Sequence, residues 1–243
     1  MKPFDKILIN EEEVIDLTLS SVEKGSEFLL TYFNQHCYNR WTEDEKYREH
    51  INTKFQYYLD GIGIWLVLKL FNISTVKKFN ASELNEKLFT IISERQVPLI
   101  LIGGNFNEKM IKNKPLNVVS YINGYEDVSN IENVIQQISN SNSKLVILGL
   151  GVPLQEKLAV EISSKISGLQ IICVGNFLEF YFGIKPRAPN FLRNSGLEWL
   201  FRLLIEPKRL WKRYLIGIPI FISRICKEYF LIKSRKKSYE KHH

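Results

Sequence analysis

Short apolar, β-branched runs alternate along the middle of the chain with segments whose apolar residues recur every three or four positions. Residues 98–102 (PLILI), 117–121 (NVVSY), 144–149 (KLVILG) and 169–174 (LQIICV) predict strands, as does the neighbourhood of residues 7–9. The later four end in turn signals: Gly103-Gly104, Asn123-Gly124, Gly149-Leu150-Gly151 and Gly175-Asn176. Helical spacing fills the intervals at 105–112, 131–139 and 154–166. Strand, turn and helix repeated in this way predict parallel βαβ units, an α/β fold with helices on both faces of a mostly parallel sheet. Ligands of such sheets bind beyond the carboxyl ends of the strands. That is where the glycines of this chain cluster.

The first ninety residues read differently. Residues 27–41 and 45–59 have helical spacing and predict two helices, followed by Asp60-Gly61-Ile62-Gly63 and an apolar run over 64–71. Near 186–189 the composition turns basic. Beyond it, 197–205 and 208–216 carry Leu, Trp and Tyr on one face and Arg/Lys on the other, the pattern of amphipathic helices at an interface. The expected organisation is an α/β core over residues 1–189 and a basic amphipathic appendage over 190–243.

Charge sharpens this division. From Lys185 onward there are 15 Lys/Arg and 4 Asp/Glu, a balance of +11, whereas residues 1–184 hold 18 basic and 22 acidic side chains, a balance of −4. Such asymmetry points to an anionic partner: lipid head groups, nucleic acid or a phosphorylated substrate. Nucleic acid is the weakest of the three, because no nucleic-acid-binding module is legible. Cys37, Cys173 and Cys226 form no CxxC pair, which disfavours a zinc site and fits reduced thiols. The acidic N-terminal stretch does not read as a signal peptide. The strongest apolar run, residues 214–222 (YLIGIPIFI), is half the length of a spanning helix and contains Gly217 and Pro219.

Candidate chemistry is sparse. In Asp60-Gly61-Ile62-Gly63 the glycines admit a ligand close to the backbone, and the carboxylate could take a proton from a hydroxyl; a plain Asp-Gly turn would look the same. Residues 149–156 (GLGVPLQE) stand where a strand gives way to a helix, and amides there suit phosphate or sugar oxygens. Leu154 occupies the place of the third glycine of a dinucleotide fingerprint, so a nicotinamide enzyme is disfavoured. Tyr125, after Asn123-Gly124, is either a stacking platform for a base or an aromatic at the edge of the core. Arg187, Arg202, Lys208, Arg209, Lys212 and Arg213 supply cations, and the arginine forks among them fit pyrophosphate; an amphipathic helix whose charges face water would look the same. No GxSxG, HExxH, Walker or DxD-type sequence is present, and no metal is expected.

In this order the pieces resemble the WecG/TagA/CpsF family of bacterial glycosyltransferases. They are DGIG (60–63), NGY (123–125), GLGVPLQE (149–156), VGNFLEFYFGIKPRAP (174–189) and GLEWLFRLLIEPKRLWKRY (196–214). The resemblance implies a Rossmann-like three-layer α/β/α core of GT-E type with a membrane-facing C-terminal appendage. It also implies inverting, metal-independent transfer from a UDP-sugar to a polyprenyl-pyrophosphate-linked saccharide, as in wall, capsule or exopolysaccharide synthesis. No cofactor is expected beyond the UDP-sugar donor.

By position, Asp60 matches the family's general base and Asn34 its companion, while Gln155 matches a motif glutamine near the donor sugar. Gly61, Gly103, Gly124, Tyr125, Gly149, Gly151, Glu179, Arg187, Arg202 and Arg209 fall at donor-binding places, the last two arginines neutralising the departing UDP. Three positions depart from the pattern. Tyr32-Phe33-Asn34 replaces Thr-x-Asn, with Thr31 one place off; Asn123 replaces a His; Glu179 replaces an Asp. The resemblance places the enzyme peripherally on the cytoplasmic face of a membrane, against anionic lipid. It is compatible with a homo-oligomer and leaves open a catalytically silent partner in a polysaccharide assembly complex.

Overall fold

A computed structural model describes residues 3–72 and 80–240. The chain runs through β1 (Ile7–Leu8), α1 (Glu11–Lys24), β2 (Phe28–Phe33), α2 (Gln35–Glu43), α3 (Glu45–Lys54), β3 (Gln56–Leu59), α4 (Gly61–Leu70) and α5 (Ala81–Glu94). It continues through β4 (Leu99–Gly103), α6 (Glu108–Lys112), β5 (Val118–Ile122), α7 (Ile131–Asn140), β6 (Leu145–Gly149), α8 (Leu154–Lys165), β7 (Gln170–Cys173) and α9 (Phe177–Tyr181). The last quarter is helical: α10 (Asn190–Ser195), α11 (Glu198–Ile205), α12 (Pro207–Trp211), a π-type turn (Lys212–Ile216) and α13 (Gly217–Glu240). The strands form one open sheet in the order β1-β3-β2-β7-β6-β4-β5, and every pairing among the described residues is parallel.

The α/β expectation holds, but two strands lie where helices were predicted. Residues 28–33 (FLLTYF) form β2, and only from Gln35 does the chain turn helical. Residues 56–59 form β3, after α3 has ended at Lys54. Both are inner strands flanked on each side, so β2 is buried from Leu29 to Phe33 without alternation. A short apolar run of this kind has no period that separates strand from helix. Asn34 sets the boundary: its Oδ1 accepts the amides of His36 and Cys37 and caps α2. The helix expected over 105–112 shortens to α6 because Asn107 caps it at Met110. That expected over 208–216 is α12 plus the π-type turn.

The topology divides the sheet into an early block, β1-β3-β2, and a later block, β7-β6-β4-β5, joined at the β2–β7 pair. In the later block the chain leaves β4 towards β5 and leaves β6 towards β7, so a crevice opens above the β6–β4 pair, the usual ligand place in open parallel sheets. The glycines there are sterically required. A Cβ on Gly103 would lie 2.7 Å from the Gly149 carbonyl oxygen, and one on Gly124 would lie 2.7 Å from Gly103 Cα. The ends of β4 and β6 and the turn after β5 therefore close on one another, with the Leu150 side chain packed beside Gly124.

The C-terminal segment is fastened to the early block. Arg224 of α13 donates to the Asn39 carbonyl, to Asn39 Oδ1, to Thr42 Oγ1 and to Glu43, while Asn39 Nδ2 donates to the Gly217 carbonyl at 2.7 Å. Phe221 packs edge-on against Tyr38 with ring centroids 5.4 Å apart. No helix of the described residues is long and apolar enough to cross a membrane.

Candidate functional site

The chemistry-bearing positions follow six strand ends on one edge of the sheet. Asn34 follows β2, Asp60 follows β3, Gly104 follows β4, and Asn123-Gly124-Tyr125 follow β5. Gly151 to Gln155 follow β6, and Gly175 to Glu179 follow β7. Two cavities open above this edge. One of about 340 Å³ is lined by the turns after β4 to β7, with Glu179, Lys185, Arg202 and Arg209 among its charged groups. The other, of about 430 Å³, lies between α4 and α13 and presents Leu66, Leu70, Trp199, Ile218, Phe221 and Ile222. Asn34, Asp60, Arg202 and Arg213 line both.

Asp60 is thus on a shared wall between a polar and an apolar chamber. It stands at the N-cap position of α4, yet its carboxylate does not cap the helix. Instead Oδ2 accepts a 2.9 Å hydrogen bond from Asn34 Nδ2. The Asn34 amide is fixed in that sense because its oxygen is committed to the α2 cap, so only N–H can face Asp60. Burial raises the Asp60 carboxyl above the ordinary Asp range, against the Asn34 hydrogen bond and the Arg202 charge, which favour the ionised form. A carboxylate with raised basicity, oriented by one amide and open to two chambers, is equipped to accept a proton from a bound hydroxyl.

Gln155 is placed differently from a substrate-contacting residue. It is fully buried, and its Oε1 accepts the amides of Gly175 (3.0 Å) and Gly151 (3.3 Å), tying the β6 and β7 turns together. Its Nε2 donates to Glu156 Oε1, which also accepts from Thr31 Oγ1 at 2.7 Å. Thr31, one place off the expected Thr-x-Asn, is therefore used in a buried brace between β2 and α8. Tyr32 fills the vacated place and leaves no room for a side chain at Gly175, where a Cβ would come 2.5 Å from its hydroxyl.

The remaining predicted positions sort by chamber. Gly124, Tyr125, Gly149, Gly151, Glu179 and Arg209 line the polar cavity, and Gly61 lines the apolar one. Gly103 serves the glycine junction beneath. Arg187 is on neither wall and pairs with Glu86. Asn123 builds its turn by accepting the Tyr125 amide at 2.9 Å. Glu179 is buried, pairs with Lys185 and accepts from the Tyr125 hydroxyl at 3.4 Å. Lys185 also meets Glu206, the partner of Arg209, so the core turn and the appendage share one charged cluster. Lys185, Arg193 and the carboxylates Glu198 and Glu206 went unassigned in the sequence. Lys185, Glu198 and Glu206 sit inside the two recognised C-terminal blocks and Arg193 between them, but spacing alone does not say which cation faces which acid.

The chain matches the sequence profile of the "Glycosyl transferase WecG/TagA/CpsF family" over residues 3–236. It belongs to that family. It is accordingly a glycosyltransferase. Similar members include two proteins of Staphylococcus aureus named N-acetylglucosaminyldiphosphoundecaprenol N-acetyl-beta-D-mannosaminyltransferase. The one from strain MRSA252 is 26% identical over 225 residues, and the one from strain NCTC 8325 / PS 47 is 27% identical over 226. Each alignment covers 90% of this chain and 87% of the relative. Membership of the WecG/TagA/CpsF family extends across the α/β sheet and most of the C-terminal helices alike.

Proposed function

We propose that the protein moves a sugar, N-acetylmannosamine or a related hexose, from a UDP-sugar to a saccharide carried on a polyprenyl diphosphate, with inversion at the anomeric carbon. The observation that carries this reading is Asp60 on the common wall of the two cavities. One substrate is a nucleotide sugar, suited to glycine-rich strand ends and fixed cations. The other pairs an anionic sugar head with an apolar chain, suited to a chamber of Leu, Ile and Trp. The names of the staphylococcal relatives describe an acceptor of the second kind.

In this mechanism the acceptor hydroxyl oxygen attacks the anomeric carbon as Asp60 takes its proton, held in line by Asn34. The bond from that carbon to the UDP oxygen breaks, and its electron pair leaves with the diphosphate. Arg209, Lys185 and Arg202 stabilise the charge that develops there, and being fixed beforehand they need no reorganisation at the moment of transfer. The enzyme works peripherally, its appendage resting on the membrane that holds the acceptor.

The test is UDP release from a panel of UDP-sugars with a prenyl-diphosphate-linked N-acetylglucosamine, with and without chelator. Release with one sugar that survives chelation, and that falls by about 10²–10⁴ in Asp60→Asn with UDP binding intact, is the expected result. Equal loss of transfer and UDP binding would instead make Asp60 a donor-binding residue.

A further inference from the structure

We infer that Arg213 binds the diphosphate of the lipid-linked acceptor, while Lys185 and Arg209 serve that of the donor; this rests on the function proposed above. The cations are divided between the chambers. Lys185 and Arg209 line only the polar cavity, Arg193 only the apolar one, and Arg202 and Arg213 both. Lys185 and Arg209 pair with Glu179 and Glu206, Arg202 with Glu198 at 2.5 Å, and Arg193 with Glu83 at 3.4 Å. Arg213, by contrast, has neither an ion pair nor a hydrogen bond among the described residues; its Nε, like those of Arg193 and Arg202, is buried without a partner. It lies over the Tyr214 ring, 5.7 Å from the centroid. His36 brings no charge to it, because burial, Arg213 and Arg40 push its pKa down to about 3.

A half-buried guanidinium beside an apolar chamber is costly unless an anion meets it. The chain direction says which anion. Arg213 stands in the π-type turn, and α13 follows at once with Ile218, Phe221, Ile222 and Ile225 on the apolar wall. From Arg213 to Ile225 the helical path rises roughly 18 Å. A charged head and then an apolar track, in that order along one helix, match an amphiphile lying with its diphosphate at Arg213. A UDP-sugar offers nothing to the track.

The experiment measures, for the full chain, UDP affinity by calorimetry and KM for prenyl-diphosphate-linked N-acetylglucosamine. Arg213→Gln is expected to raise the acceptor KM by about tenfold or more, one charge-assisted hydrogen bond, with UDP affinity unchanged within about twofold. Arg213→Lys, which keeps the charge, recovers part of the loss, and Arg209→Gln shows the opposite split. A monophosphate-linked acceptor discriminates further: wild type prefers the diphosphate, and Arg213→Gln loses the preference. Weakened UDP binding with unchanged acceptor KM, or no change in either, overturns the assignment while leaving the proposed reaction standing. UDP binding by wild type without transfer to any lipid-linked saccharide would bring down the reaction itself.

Discussion

At the scale of single residues, the site is governed by which atom of each side chain is already committed. Asn34 can donate to Asp60 only because its oxygen caps α2. Asn34→Asp keeps the cap oxygen and replaces the donor with a second carboxylate. Like charges then oppose ionisation of Asp60, so its pKa, already raised by burial, rises again. Because the proposed base must be ionised, the acid limb of the pH–rate profile should move upward by about one unit or more, with transfer at low pH suffering most. A profile whose acid limb stays in place would show that Asp60 does not set it. That Asp60, Asn34 and most of the motif glycines gather at strand ends was legible in the sequence, because family motifs mark those ends. The depth of Gln155 was not, since a motif names a residue without saying whether it faces the ligand or the turn behind it. Arg213 was visible merely as one cation in a basic run; its lack of a partner is a property of the folded arrangement alone.

Among elements, the strands of the later block were readable because each ends at a glycine or two residues before one. β2 and β3 were hidden by their burial, which removes alternation, and by the helices that follow them within a residue or two. The best available signal was Asn34, a strong cap inside a supposed helix. Beside the packing of Phe221 and Ile225, attachment of α13 rests on a few polar contacts centred on Asn39, a buried side chain that serves Gly217 and Arg224 together. Asn39→Leu should leave the Gly217 carbonyl and the Arg224 fork short of partners, at about 1–3 kcal/mol. Limited proteolysis should then release the C-terminal helix sooner than in wild type, before the sheet melts. Simultaneous loss of helix and sheet would show instead that α13 and the early block unfold as one unit.

For the whole molecule, basic charge and exposed apolar side chains coincide. Most exposed large apolar residues among the described ones fall between Leu197 and Ile232, in the stretch that carries the positive excess. Binding to anionic vesicles should weaken steeply with salt, each Lys or Arg near the surface contributing about 1 kcal/mol. The exposed Lys208, Lys212 and Lys227 changed together to Glu should abolish sedimentation with anionic vesicles while leaving UDP affinity intact. Retention on vesicles would put the membrane contact elsewhere. The division of the sheet into two blocks bears also on how the chain is made. β2 pairs with β7 across some 140 positions, Phe28 with Gln170, Leu29 with Ile171 and Leu30 with Ile172. Contacts so remote in sequence carry a large loop-closure cost and slow the folding of the sheet. During synthesis, the strand that ends at Phe33 therefore waits with one edge open until nearly three-quarters of the polypeptide has left the ribosome.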